Sequence, residues 1–374
     1  MKKAIIACVT ACMLMTSGLG FAAEAKATIS KTNLIEMALK NNPQVGLYQS
    51  QIDIAKDRYG NAMVDVDIWK NKEPEEKSGT SERVQNARIN KYYPQLYTNE
   101  MNELKDKKLR FEKNLKVDVE EQYYKYLMLL DREQYQRDYL SRLEKEKKVL
   151  ATKIKLGQVS NAEMTKMETE VIKGEIDLAS LASQKNSAEI ELELLVGKDV
   201  DMSQLAKVDM PTASLKVKEI ASLMERYVTQ HPEVYWRNEK LKLEQVNYDI
   251  SVKYRNLRSL EAEVLTMEQT IENLKYEIQE QTVKAKNGLS KVYSDVMKAK
   301  NEMDMQNLKV KYQGDLTKAA EAKKAAGMIT EMDYLIQKQA SEQAVIELKE
   351  KQLNYYVLVT KFNADIEASV SLTK

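Results

Sequence analysis

The chain has 374 residues, 43% hydrophobic and 31% charged, with only 11 Gly and 5 Pro, so it is neither a disordered acidic tail nor a polytopic membrane protein. Basic residues number 58 and acidic ones 57, giving a formal charge of +1 and no basic excess to recruit nucleic acid. One His and two Cys leave almost no material for a metal site, a redox pair or thiol catalysis; no cofactor is expected and the chain does not read as an enzyme.

Lys2 and Lys3 precede an apolar run from Ala4 to about Gly20, followed by small residues at Ala22, Ala23 and Ala25. This pattern predicts a secretory signal peptide over residues 1–22 and an exported protein of the periplasm or cell envelope. Two other readings are weaker. A retained anchor is interrupted by Thr10, Thr16 and Ser17, and a lipid-modified Cys12 leaves only Ala4 to Ala11 as the apolar segment. Cleavage removes both Cys8 and Cys12 and turns the formal charge from +1 to −1.

From Met101 to Leu156 there is neither Pro nor Gly, and Leu104, Phe111, Leu115, Val119, Tyr123, Tyr126 and Leu130 recur mostly at steps of three and four. This predicts a long helix reaching back to about Arg83, with a bend at Pro94 near Tyr92-Tyr93. Gly157-Gln158-Val159-Ser160 ends it. Gly157 suits a left-handed C′ position, and Ser160 with Glu163 three residues later forms a capping-box pattern that opens a return helix from Asn161 to Val196. The pair is a helical hairpin.

The order repeats. A second proline-free run from Glu233 is broken at Gly327-Met328-Ile329-Thr330, with Asp333 three residues after Thr330. Gly157 and Gly327 lie 170 residues apart; Asn41-Asn42-Pro43 and Gln230-His231-Pro232 lie 189 apart, each after an apolar stretch. Two landmarks in the same order predict two tandem repeats, residues 23–211 and 212–374, in an all-α fold of long antiparallel hairpins. The lengths suit one long helix packed beside two shorter ones stacked end to end. A rod this thin needs lateral neighbours. The 20 tyrosines suit such helix-to-helix contacts between subunits.

With these landmarks the chain resembles the TolC-like outer-membrane efflux channel family. The resemblance rests on Ala38-Leu39-Lys40-Asn41-Asn42-Pro43, Gly157-Gln158-Val159-Ser160, Leu192-Glu193-Leu194-Leu195-Val196-Gly197, His231-Pro232 and Gly327-Met328-Ile329-Thr330-Glu331-Met332-Asp333, across the whole mature chain. It implies a homotrimer forming a helical conduit for efflux or type I-like secretion. Solute would come from an inner-membrane pump through a periplasmic adaptor. Gly157 to Ser160 and Gly327 to Thr330 would be the adaptor-docking tips, and Glu163 and Asp333 the acidic residues narrowing the entrance. Capping alone also accounts for both acids, and the two readings stand side by side.

One departure is plain. Family members carry a pair of membrane strands in each repeat, and a membrane strand needs roughly 9–11 alternating residues. The first insertion site alternates only over Val64 to Trp69, room for one short strand, before the charged stretch 70–79. The second carries Leu260, Val264, Met267, Ile271, Leu274 and Ile278 at heptad steps, which is coiled coil. The barrel is therefore expected to be reduced or absent. A separate outer-envelope partner would complete the path, or the chain is a non-conducting envelope scaffold. The lone His231, beside Pro232, is expected at a helix start in a capping or surface role.

Overall fold

The computed structural model describes residues 28–70, 79–216, 219–254 and 261–371, the side chains of 368–371 excepted. The signal segment with Cys8 and Cys12, most of the charged stretch 70–79, and Leu260 lie outside the described residues. Helices account for nearly all of the remainder: α1 (Lys31–Asn41), α2 (Pro43–Trp69), α3 (Thr80–Lys91), α4 (Tyr93–Lys155), α5 (Asn161–Val196), α6 (Ala221–Gln230), α7 (Pro232–Lys253), α8 (Glu261–Ala325) and α9 (Glu331–Ser371). No described helix is long and apolar enough to cross a membrane.

Pro94, in the first turn of α4, ends the helix before it at Lys91, as its missing N–H and ring demand. From there α4 runs for 63 residues, about 95 Å at 1.5 Å per residue. It lies antiparallel to α2 along its first part, where Tyr48 meets Phe111 and Arg58 pairs with Glu100. Along the rest it lies against α5, where Lys125 pairs with Glu191 and Lys147 with Glu168. One long helix thus packs beside two shorter helices stacked end to end. The junction of α2 and α5 is tied at Asn42, whose side chain caps the Gln44 N–H (3.0 Å) and donates to the Leu195 carbonyl (3.0 Å). Gly197, at φ +76°, ends α5 so closely that a Cβ there would stand 2.5 Å from the Asn41 carbonyl oxygen.

The second half repeats the plan. The 65-residue α8 runs beside α7, with Arg237 on Glu277, and beside α9, with Lys309 on Glu347. The main core lies where the short and long helices of the first half meet, around Leu34, Val119, Tyr123, Leu192 and Val196, and it takes in Tyr356 and Val357 from α9. Its counterpart in the second half gathers Tyr227, Leu289, Val296, Val359 and Phe362. Tyr123, Tyr124 and Tyr356 are used in this intrachain packing. Tyr123 donates to the Ala206 carbonyl, and Tyr356 packs edge-on against Tyr124 and donates to Glu120 (2.6 Å).

The halves join along α4 and α9. On that seam Lys361 pairs with Asp118 (2.8 Å) and Glu121 (3.2 Å), Lys349 with Asp131 (2.8 Å), Arg132 with Glu350 (2.7 Å) and Arg142 with Glu342 (2.8 Å).

The short strand allowed at Val64 to Trp69 is corrected. Those residues complete α2, whose buried Val45, Ile52, Ala55 and Ala62 follow helical spacing, and the alternation is too short to overrule the preceding turns. The only β pairing among the described residues is a single parallel bridge between Ile29 and Leu205. At the second insertion site Val264, Met267, Ile271 and Leu274 are buried on one face of α8, as the heptad spacing predicts. Between the flanking helices only residues 70–79 and 254–260 are left, whereas two membrane strands need roughly 18–22 residues.

Candidate functional site: the paired hairpin tips

Both hairpin turns close in the same way. Gly157 has φ +69° and Gly327 φ +72°. The Gly157 N–H donates to the Ile154 carbonyl (2.9 Å) and the Gln158 N–H to that of Lys153 (3.0 Å). At the other tip Gly327 donates to Lys324 (2.9 Å) and Met328 to Lys323 (2.8 Å). These are paired Schellman motifs, in which the left-handed residue lets two orphan carbonyls of the last turn be satisfied. Gln158 and Met328 project outward, Met328 with 76% of its surface exposed, while Val159 and Ile329 are half-buried.

The next residues differ. Thr330 and Asp333 form a full capping box: the Asp333 N–H donates to Thr330 Oγ1 (3.1 Å), and the Thr330 N–H (3.3 Å) and hydroxyl (2.7 Å) donate to Asp333 Oδ2. Ser160 occupies the matching N-cap position without a side-chain capping bond. The capping box expected for Ser160 and Glu163 is therefore not formed: the Glu163 N–H donates to the Ser160 carbonyl (3.2 Å), and the Glu163 carboxylate reaches no hydrogen-bond or salt-bridge partner among the described residues. The spacing supplies the donor and acceptor but does not select the rotamers.

The tips stand side by side. Met167 on α5 and Met332 on α9 are buried in one cluster with Tyr139 and Leu143 of α4. Above it Lys166 reaches Asp333 (3.6 Å), so the first tip touches this acid through a lysine and not through Glu163. The Thr330 hydroxyl, with help from the Thr330 N–H and Lys166, holds the Asp333 carboxyl below the ordinary carboxylate value. Lys324 bridges its own turn to Glu331 (2.8 Å) and lies over the Tyr334 ring at 4.4 Å. Sequence reading passed over Lys166 and Lys324. Folding the chain about Gly327 would have placed Lys324 opposite Glu331, but Lys166 is joined to Asp333 only by tertiary packing.

His231 opens α7 as expected, but its side chain does not cap the helix. The ring packs edge-on against Tyr227 at 5.5 Å, and its buried Nδ1 finds no hydrogen-bond partner among the described residues. Burial holds its pKa below the ordinary value. Among the described residues no cluster of His, Cys, Asp and Glu could hold a metal ion.

No protein-family model matches the chain, and no curated protein does. Solved structures do. The chain matches a membrane protein from Pseudomonas aeruginosa at TM-score 0.71 and 12% identity, over 95% of this chain and 97% of that one. It matches the outer-membrane channel OprN at TM-score 0.70 and 10% identity, over 90% and 89%. VceC, an outer membrane protein of Vibrio cholerae, matches at TM-score 0.65 and 11% identity, over 91% and 95%. The fold is that of bacterial outer-membrane channels. More narrowly it is the TolC-like fold, all-helical here and without transmembrane strands among the described residues.

Proposed function

We propose that the protein is an exported, homotrimeric helical conduit component for efflux or type I-like secretion, built from two repeats over residues 23–211 and 212–374. It resides in the cell envelope and receives solute from an inner-membrane pump through a periplasmic adaptor. The observation that carries this reading is the pair of hairpins presenting matched turns at one end, in a fold shared with outer-membrane channels. Gly157 to Ser160 and Gly327 to Thr330 are the docking tips, and Glu163 and Asp333 the acids at the entrance.

Trimer formation is supported by apolar residues left on the flanks. Ile172, Ile176, Ile190 and Leu194 are exposed on α5, and Tyr276, Val283, Met305, Leu308 and Tyr312 on α8, largely at coiled-coil spacings. Three copies arranged about an axis cover both flanks with one repeated contact.

Helices at both sites where family members insert strands favour a second reading, a non-conducting envelope coiled-coil scaffold, and in the first reading they call for a separate outer-envelope partner. Deleting the gene and measuring accumulation of dyes and metal ions separates the two. Raised accumulation, reversed by a restored copy, supports the conduit. Unchanged accumulation across a broad panel, with altered envelope shape, supports the scaffold.

A further inference from the structure

We propose that the end of the rod opposite the tips carries a binding groove for a neutral, hydroxyl-rich glycan chain. Where α3 gives way to α4 at Pro94, a concavity of about 420 Å³ opens between α2, α4 and α7. That volume lies within the range of small-ligand sites, roughly 300–1,000 Å³. Three aromatic rings line it, Tyr59, Tyr235 and Trp236, beside three side-chain amides, Gln95, Asn99 and Asn102.

The Trp236 ring is fixed by a buried carboxylate. Its Nε1–H donates to Asp106 Oδ2 at 3.0 Å, and Arg110 holds the same oxygen at 3.0 Å. Asp106 is only 8% exposed, and a buried carboxylate is costly unless paired. The pairing presents the indole in one orientation and leaves no spare charge. The other groups are unspent: the Tyr59 and Tyr235 hydroxyls and the three amides make no hydrogen bond within the described residues.

This chemistry selects the ligand. Amides and phenols both donate and accept, which matches sugar hydroxyls that do the same. Aromatic faces suit the C–H surfaces of a pyranose ring. The charges at the rim, Glu239 and Lys242, are paired with each other at 2.5 Å, so an ionic ligand finds no uncompensated partner. A purely apolar ligand would strand the amides. A second groove of about 300 Å³ lies near the same helix junction, beside the stacked Tyr93 and Tyr97 rings. Asn61 and Gln85 line it together with Arg58, which pairs with Glu100, and Asp65, and it would extend the site for a chain longer than one sugar.

The test uses the full chain in a Trp69→Phe background, so that Trp236 is the only indole, titrated with a β-linked tetramer of N-acetylglucosamine. The expected result is a saturable fluorescence change. Trp236→Ala, read by calorimetry, and the double variant Asn99→Ala/Asn102→Ala should each weaken binding roughly tenfold or more. The double variant should keep the wild-type melting temperature, because those amides hold nothing within the chain. The proposal is overturned if the folded wild type gives no saturable response. It is equally overturned if the double variant binds with unchanged affinity, or if a neutral Gly/Ser peptide binds as tightly as the sugar.

Discussion

The ammonium of Lys166 stands 3.6 Å from the carboxylate of Asp333, joining the return helix of the first hairpin to that of the second right behind the two turns. Both side chains are about half exposed, so the pair is screened and contributes little by itself. Its significance is positional, because it joins the tips of two hairpins that no turn connects.

Acid should loosen this region. Asp333 is held below its ordinary value of 3.8, first by the Thr330 hydroxyl. A lowered folded-state value means the carboxylate contributes stability above the unfolded value and loses it as pH falls through the folded one. Melting temperature should therefore fall more steeply below pH 3.8 in the wild type than in Asp333→Asn. Coincident pH profiles would show that the acid is not engaged in solution.

The two N-caps should respond unequally. Thr330→Ala removes a formed cap and should cost about 0.5–2 kcal/mol, whereas Ser160→Ala removes no side-chain bond and should stay within about 0.5 kcal/mol. Denaturant unfolding of both variants decides it; equal losses would mean that Ser160 does cap its helix.

Gly157→Val and Gly327→Val should each destabilise by about 1 kcal/mol or more through the positive φ alone, since open space surrounds both. Gly197→Ala should cost more than Gly157→Ala, because strain there is joined by a clash with the Asn41 carbonyl. Thermal unfolding ranks them, and a milder Gly197 variant would contradict the packing at that junction.

Docking at the tips can be parted from folding. Gln158→Asp and Met328→Asp place charge on exposed side chains and should change stability by less than about 0.5 kcal/mol. If the tips meet an adaptor, crosslinking to it in cells should drop in both variants. Unchanged crosslinking and unchanged efflux would leave the turns as ordinary helix reversals.

Assembly gives a further test. The chain from Ala23 onward should form trimers without detergent, driven by the exposed apolar flanks of α5 and α8. Sedimentation across a concentration series would reveal this. A strict monomer at micromolar concentration, or precipitation relieved only by detergent, would oppose a trimer without membrane strands.

Local signals carried most of the architecture. Gly157, Gly327 and Gly197 occupy left-handed positions because no other residue ends a helix there as cheaply, and Pro94 breaks the first rod where its ring requires. The heptad spacing of Val264 to Leu274 became the buried face of α8. Contacts between distant segments were not legible. The tyrosines suggested subunit contacts, yet Tyr123 and Tyr356 are spent inside the chain, on Ala206 and Glu120. Ser160 and Glu163 had the right spacing and did not close, since spacing fixes proximity and leaves the side-chain rotamer open.

The ion pairs between α4 and α9 have an order along the axis. From Asp118 to Asp131 the α4 members are negative and face Lys361 and Lys349; from Arg132 to Arg142 they are positive and face Glu350 and Glu342. Neither helix could slide past the other by one turn, about 5.4 Å, without bringing like charges together near the Asp131–Arg132 crossover. The sign reversal therefore works as a vernier mark. Each pair is weak alone, so the reversal adds to the buried packing of Met332, Tyr356 and Val357 against α4 in favouring one height of one hairpin against the other, and with it level tips.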